Sequence, residues 1–309
     1  MRELCKLVII ISSMVIMSAQ MNGQNVGIGA NMFTPDNSAL LELQSTNSGL
    51  LLPRMTTAQR DAISNPAQSL IIYNLTTKCV EIYESNQWQT IWCNDPCSGV
   101  STISYDGVTY NTVQIGDQCW LKENLRTTKY NDGTSITKIT NNSTWASTTS
   151  GAYCCYGNDT SNCVTYGALY NWYAVNTGKL CPSGWHVPSD DEWKTLEMSL
   201  GMTQAEADAT GWRGTDQGSK LAGNASLWTD GALDQNVNFG TSGFSALPGG
   251  YRSFSDGSFN DLGNRGNWWS STEYAGSNAW HRSLYYNNAN VYRNSHNKRD
   301  GYSVRCLRD

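Results

Sequence analysis

The hydrophobic positions of this chain change rhythm along its length, and each change predicts a different kind of segment. Leu7 to Met17 is one unbroken apolar run, preceded by Arg2 and Lys6 and followed by small residues at Ser18 and Ala19. The run is too short to cross a bilayer as a helix. Its basic, apolar, small order is that of a secretory signal peptide over residues 1–23, with cleavage expected between Ala19 and Gly23. Glu3 dilutes the basic end, and no Cys follows the run directly, so a lipid anchor is not expected.

From there to residue 95 the apolar stretches are short, as in a small β-rich module over 24–95. Asn25 to Gly29, Leu40 to Leu43 and Leu50 to Leu52 come first. Thr56 followed by Gln59 has the spacing of a capping box and predicts a helical turn over Thr56 to Ile63. Ser69 to Tyr73, Cys79 to Tyr83 and Trp88 to Trp92 read as strands, and Glu84-Ser85-Asn86-Gln87 turns the last two into a hairpin. Cys79 and Cys93 flank that hairpin and are placed to cross-link its open end.

A linker, Asn94-Asp95-Pro96-Cys97-Ser98-Gly99, precedes a second domain over 100–309. Asp106-Gly107 predicts a tight turn between strands Thr102 to Tyr105 and Val108 to Ile115, and Asp132-Gly133 predicts another turn. Gly167 to Val175 reads as a short buried helix. The clearest helix begins at Ser189, with Glu192 completing a capping box and Trp193, Leu196 and Leu200 on one face, and it ends at Gly201. Thr203 with Glu206 repeats the box for a helix over Gln204 to Ala209. After Trp212 no long helix is predicted, and short strands alternate with Gly, Asn, Asp and Ser. The expected class is α+β, with few short helices early and a long loop-rich β region late.

Composition sharpens this picture. Charged residues are only 15% of the chain, and the net charge of −5 gives no electrostatic reason to bind nucleic acid or an anionic membrane. Trp (12) and Tyr (16) far outnumber Phe (5), which suits residues that pair an apolar body with a polar tip. Ten cysteines fit an oxidising compartment, secreted or at the outer cell surface. Cys5 would leave with the signal peptide, and the odd number that remains leaves one free or intermolecular.

Six motifs now become recognisable in order. They are Trp120-Leu121-Lys122-Glu123-Asn124-Leu125, Tyr166 to Trp172, Cys181-Pro182-Ser183-Gly184-Trp185-His186-Val187-Pro188-Ser189, Leu247 to Arg252, Trp268 to Glu273, and Ser303 to Asp309. Over roughly Val100 to Asp309 the chain closely resembles the Fibrobacter succinogenes major paralogous domain of secreted bacterial proteins. That resemblance implies a C-type-lectin-like fold, akin to formylglycine-generating enzymes and to the variable tip proteins of diversity-generating retroelements. It also implies a bond between Cys181 and Cys306, with Cα atoms within about 7 Å. The segment Asn25 to Cys93, with Val26-Gly27-Ile28-Gly29 and Leu52 to Arg60, resembles an N-terminal module of exported Bacteroidota proteins and is reminiscent of tail-fibre sequences. Homo-oligomerisation would run through it.

The chemistry of the candidates favours binding over catalysis. The formylglycine generators need a reactive cysteine pair late in the fold, and only Cys306 lies beyond Cys181. His186, His281 and His296 are the only histidines, and no Gly-x-Ser-x-Gly elbow accompanies them. His186 lies in the turn before a helix, where it reads as structural, while His281 and His296 stand among polar residues and are expected to be exposed. Gly214 to Lys220 lacks phosphate-loop spacing and reads as a loop, and Asp190, Asp191 and Glu192 complement a helix dipole. No Glu-Pro-Asn loop exists beyond Pro248 for calcium-bridged sugar binding. No cofactor is expected, although the late Asp- and Asn-rich loops leave room for a structural calcium ion. The best binding segment is Trp280 to Asn297. Strand alternation puts Trp280, Leu284 and Tyr286 on one face, taken as core, and His281, Ser283 and Tyr285 on the other. Tyr285, Asn287, Asn288, Asn290, Tyr292, Arg293 and Asn294 are the surface candidates, joined by Tyr251, Arg252 and Trp268. Trp268 and Trp269 are adjacent, so one should point inward and the other out. The expected function is an adhesin-like binding module for an extracellular glycan or protein ligand. The alternative is a structural surface or fibre component.

Overall fold

The structure, a computed structural model, describes residues 26–29, 33–93 and 95–309. The expected signal peptide lies outside the described residues.

In the N-terminal part, β1 (Val26–Gly29) and β2 (Leu41–Gln44) pair in parallel as a two-stranded ribbon. A four-stranded sheet follows in the order β3-β4-β5-β6, built from β3 (Arg54–Met55), β4 (Leu70–Asn74), β5 (Cys79–Glu84) and β6 (Gln87–Cys93). Leu50 to Leu52 forms no strand. Helix α1 (Thr57–Asp61) carries the expected capping box, with Thr56 accepting from the Gln59 amide and Gln59 reaching back. Ser85 and Asn86 both adopt positive φ, which gives the β5–β6 hairpin a turn whose twist matches its strands. Cys79 and Cys93 face each other across that hairpin and are bonded. The interior of this small sheet mixes apolar Ile72 with polar side chains. Asn74 is fully buried and donates to both oxygens of the buried Glu81, which also receives a bond from Arg60 at 2.8 Å.

The second domain opens with β7 (Thr102–Tyr105) and β8 (Val108–Ile115), joined by the Asp106-Gly107 turn, in which both residues take positive φ. Then come β9 (Gln118–Leu121), β10 (Thr137–Lys138), α2 (Asn142–Ser147), β11 (Ala152–Cys154), α3 (Thr160–Tyr166), β12 (Leu169–Tyr170) and α4 (Trp172–Val175). The stretch from Gly167, expected to be one helix, is thus a strand followed by a helical turn, because Asn171 interrupts it as the α4 cap. Next are β13 (Trp185–His186), α5 (Asp190–Ser199), α6 (Gln204–Asp208), β14 (Gly211–Arg213) and α7 (Gln217–Leu221). Ser189 and Thr203 cap α5 and α6 through complete capping boxes. The helix α7 corrects the loop expected over Gly214 to Lys220. Its Gly218 lies so close to the Asn290 carbonyl that an added Cβ would meet it at 2.3 Å.

The last third is β15 (Gly249–Arg252), β16 (Phe259–Leu262), β17 (Arg265–Ala275), β18 (Asn278–Tyr285), β19 (Asn288–Asn297) and β20 (Leu307–Arg308). The six-stranded sheet β14-β19-β18-β17-β15-β16 dominates, while β20 returns to pair with β9 in a sheet of order β13-β20-β9-β8-β7. Cys181 and Cys306, 5.9 Å apart at Cα, tie the segment before β13 to the segment before β20. Cys97–Cys119 and Cys155–Cys163 are also bonded, and Cys154 is a free, buried thiol that burial pushes up to about 12.

Each face of the six-stranded sheet meets a core over part of its extent. Trp268 joins a cluster with Trp120, Trp193, Leu196, Phe244 and Leu284, whereas Trp269 joins another with Tyr110, Tyr170, Trp172, Tyr302 and Val304. The expectation that one of the two tryptophans would face solvent is therefore corrected. Alternation does send them to opposite faces, but each face meets its own core. Rings of Trp120, Trp193 and Phe244 lie 5.0–5.8 Å apart, a spacing that adds about 0.5–1.5 kcal/mol per pair beyond area burial.

Candidate functional site

One face of the six-stranded sheet is closed by α5 through buried charge. Arg213 grips Glu197 with both terminal nitrogens at 2.8 and 2.9 Å, and Arg282 reaches Glu197 and Asp190 at 2.7 Å each. Arg293 holds both oxygens of Asp190 and lies 3.8 Å over the Trp280 ring. Burial pushes the Asp190 carboxyl up, but Arg293 and Arg282 outweigh it and bring it down to about 2. Asp190 thus does far more than complement the helix dipole. Its partners lie some ninety residues further along, and no local spacing announces them.

Three of the sequence candidates are consequently interior. Arg293 serves that network. Trp268 is buried with its indole N–H on Asn124 at 2.8 Å. Arg252 is fully buried between Trp145 and Phe259, donating to the carbonyls of Ile139, Thr140 and Gly257. All three were expected on the surface; their charge or ring is instead matched by partners distant in sequence. Asn290 bonds the Gly214 carbonyl, and Asn287 stands exposed in the β18–β19 turn.

The opposite face is different. Register places Trp212, Tyr292, Ser283 and Asn267 in one row across β14, β19, β18 and β17. Asn294, His281 and Trp269 form the next, and Asn288, Tyr285 and Arg265 another. Tyr302 and Trp269 fill one end, but Tyr251, Tyr285, Tyr292 and Asn294 are half-exposed and Trp212 is 40% exposed. Trp212 and Tyr292 pack with centroids 5.1 Å apart and their planes tilted by 55°, and Arg265 lies 5.2 Å over Tyr285. Asn294 donates to the Tyr292 hydroxyl at 2.8 Å.

Beneath this aromatic rim the floor is polar. His281 is 3% exposed, which overturns its expected place at the surface, and its ring lies 5.2 Å from Tyr302, 5.8 Å from His296 and 6.1 Å from Tyr292. Its Nδ1 has no hydrogen-bond partner among the described residues, and neither has Nε of Arg265. Burial, reinforced by the His296 and Arg282 charges, holds His281 well below the usual imidazole range, so the ring is neutral at neutral pH, with one donor and one acceptor nitrogen. Ser283 donates to Asn267 at 2.6 Å, and His296, more exposed, pairs with Asp300. A buried polar atom without a partner costs about 1–3 kcal/mol. Of the five such atoms among the described residues, two lie on this face, the others being Nε1 of Trp145 and Trp193 and Nε of Arg213. Sequence reasoning missed Trp212, Arg265 and His281. Trp212 carried the one usable signal, an aromatic residue at the start of the helix-free region.

Among the described residues no group of three or more His, Cys, Asp or Glu side chains is placed to hold a metal ion.

The family model of the Fibrobacter succinogenes major domain matches residues 113–308. The chain belongs to that family. In this member of the Fibrobacter major domain family the recognisable motifs build much of the scaffold, and Tyr251 also takes one of them onto the open face. Asn124 receives the Trp268 indole and the Nε of Arg305, and Arg305 donates further to the carbonyls of Leu121, Phe244 and Ser245. Complete burial pushes the Arg305 guanidinium down to about 9. A second family model, a phage tail like trimerisation region, matches residues 27–104. No curated protein and no solved structure matches the chain.

Proposed function

We propose that this is a secreted or outer-surface binding protein whose major domain has a C-type-lectin-like fold and recognises a glycan or protein ligand on the open face of its six-stranded sheet. On this reading the protein is not an enzyme, and it takes no cofactor beyond at most a structural calcium ion. The observation that carries the proposal is the aromatic rim of Trp212, Tyr251, Tyr285 and Tyr292 over a floor in which His281 Nδ1 has no partner. Flat rings supply contact area at low entropic cost, and amides such as Asn294 supply adaptable hydrogen bonds. Four disulfides among the described residues support export to an oxidising compartment, and no helix there is long and apolar enough to cross a membrane. The test is glycan-array and surface-proteome binding by the full chain, beside a Tyr285→Ala, Tyr292→Ala variant. A folded double variant that binds as well as the parent refutes the assignment to this face.

The second reading, a fibre or matrix subunit, is favoured by the N-terminal part. Val26, Ile28, Leu41 and Leu43 are exposed on a two-stranded parallel ribbon. Parallel strands are ordinarily covered on both faces, and two strands alone are marginal in water. Together with the trimerisation-region match, this supports self-association through that ribbon. Sedimentation of the full chain separates a monomer from an assembly, and the two readings are compatible if an assembly presents the binding domains.

A further inference from the structure

Resting on the binding reading above, we infer that the ligand of the open face is a saccharide carrying an anionic oxygen group, such as a uronic acid or a sulfated ring, with Arg265 as the residue that selects it. Arg265 stands at the end of β17 on the same face as Tyr285 and His281. A guanidinium offers five donors in a fixed fork that matches a carboxylate or sulfate. In this fold the fork is poorly used. Its one ion-pair partner, Asp261, stands 3.8 Å away, and Nε donates to nothing. The buried arginines named above, Arg213, Arg252, Arg282, Arg293 and Arg305, are each held by two or more hydrogen bonds. Arg265, half-buried, keeps its guanidinium free of comparable bonds, and it is the one of these arginines on the aromatic face.

The neighbouring acids do not answer its charge. Asp300 is engaged by His296 and by the Phe254 amide, and Asp261 is too distant for a strong bond. The face therefore presents a cation at one end, stacking rings at Tyr285, Tyr292 and Trp212, and side-chain amides at Asn294 and Asn288. A sugar ring with one anionic substituent fits each of these: C–H surface on the rings, hydroxyls on the amides and the anion on the fork. A peptide has less use for adjacent flat rings beside a single cation.

The experiment is retention of the full chain on a panel of acidic saccharides (uronic, sialylated and sulfated), each printed beside its neutral counterpart, with solution titration of the strongest pair. Retention of at least one acidic member is expected, about tenfold tighter than its neutral counterpart. Arg265→Gln should erase that tenfold difference while leaving weak neutral binding in place, and Arg265→Lys should restore part of it. Tyr292→Ala should weaken both members. Should Arg265→Gln not fold, Arg265→Lys and the acidic-to-neutral ratio of the parent still decide. Equal binding of acidic and neutral members overturns the selection by Arg265 and leaves the binding face standing. No saccharide retained at all overturns the saccharide inference, and binding of a protein ligand that survives the double tyrosine substitution overturns the face itself.

Discussion

The two regions of this protein differ in how much of their apolar surface they cover. In the N-terminal part the deepest residues include Asn74 and Glu81, while Leu40, Leu50, Leu51, Ile91 and Trp92 are exposed. In the major domain the tryptophans Trp120, Trp145, Trp193, Trp268 and Trp269 are fully buried, and exposed large apolar residues are few. A domain that buries its aromatics has a core sufficient for itself. A small sheet that buries little beyond Ile72 and leaves apolar residues outside gains by covering them, at about 25 cal/mol per Å². The contrast teaches where uncovered apolar surface concentrates, which is on the N-terminal part.

The largest test of that contrast lies in the cross-links. Cys181 and Cys306 are 125 residues apart, and Cys79 and Cys93 are 14 apart. On the loop-entropy account, removing them costs about 5 and about 3 kcal/mol respectively. Denaturation of paired Cys→Ser variants should show both losses. A major domain indifferent to Cys181→Ser, Cys306→Ser would mean that its core alone fixes the fold. Next in size is the buried charge. Glu197→Ala leaves Arg213 and Arg282 without their shared acceptor and should cost about 3–5 kcal/mol. Glu81→Ala in the N-terminal part, where Arg60 is nearer to solvent, should cost about 1–3 kcal/mol by urea titration. Equal losses would erase the distinction between the two regions.

A Leu41→Asn, Leu43→Asn variant should leave the unfolding of the major domain within about 0.5 kcal/mol of the parent while lowering the sedimentation coefficient of any assembly. An unchanged assembly state would show that the exposed ribbon is not the joint. The smallest effect is a pH dependence. The Glu192 hydrogen bond, with Asp309 adding to it against the cost of burial, raises His186 to about 9. A histidine with a raised pKa adds stability that is complete below its unfolded value of about 6.5 and is lost as pH rises through 9. Because His186 is over a third exposed, the change should be under about 1 kcal/mol. Melting curves of His186→Gln should be flatter than the parent's between pH 6.5 and 9.

Local chemistry made several elements legible. The capping boxes at Thr56, Ser189 and Thr203 are complete in the structure, and the Asp106-Gly107 turn joins strands with the expected bounds. These features depend on residues within a few positions of one another, so a linear reading suffices. The open face was legible in part. Tyr251, Tyr285, Tyr292 and Asn294 stand on it, but alternation along β18 gave only which residues share a face, not what covers that face. His281 and Arg293 look like surface residues until Tyr302 and Asp190 are brought over them.

By itself, then, the sequence determined the local units: caps, hairpins, the Cys79–Cys93 clasp, and motifs specific enough to carry the family. The tertiary structure alone decided which polar side chains became scaffold. Arg252, Arg282, Arg293 and Arg305 are buried because acceptors from segments far along the chain converge on them. A guanidinium is stable in the interior only when such partners arrive together, and no single segment can supply them. The same convergence left a few buried polar atoms without partners, His281 Nδ1 and Arg265 Nε on the open face among them, and nothing along the chain foretells which atoms these are.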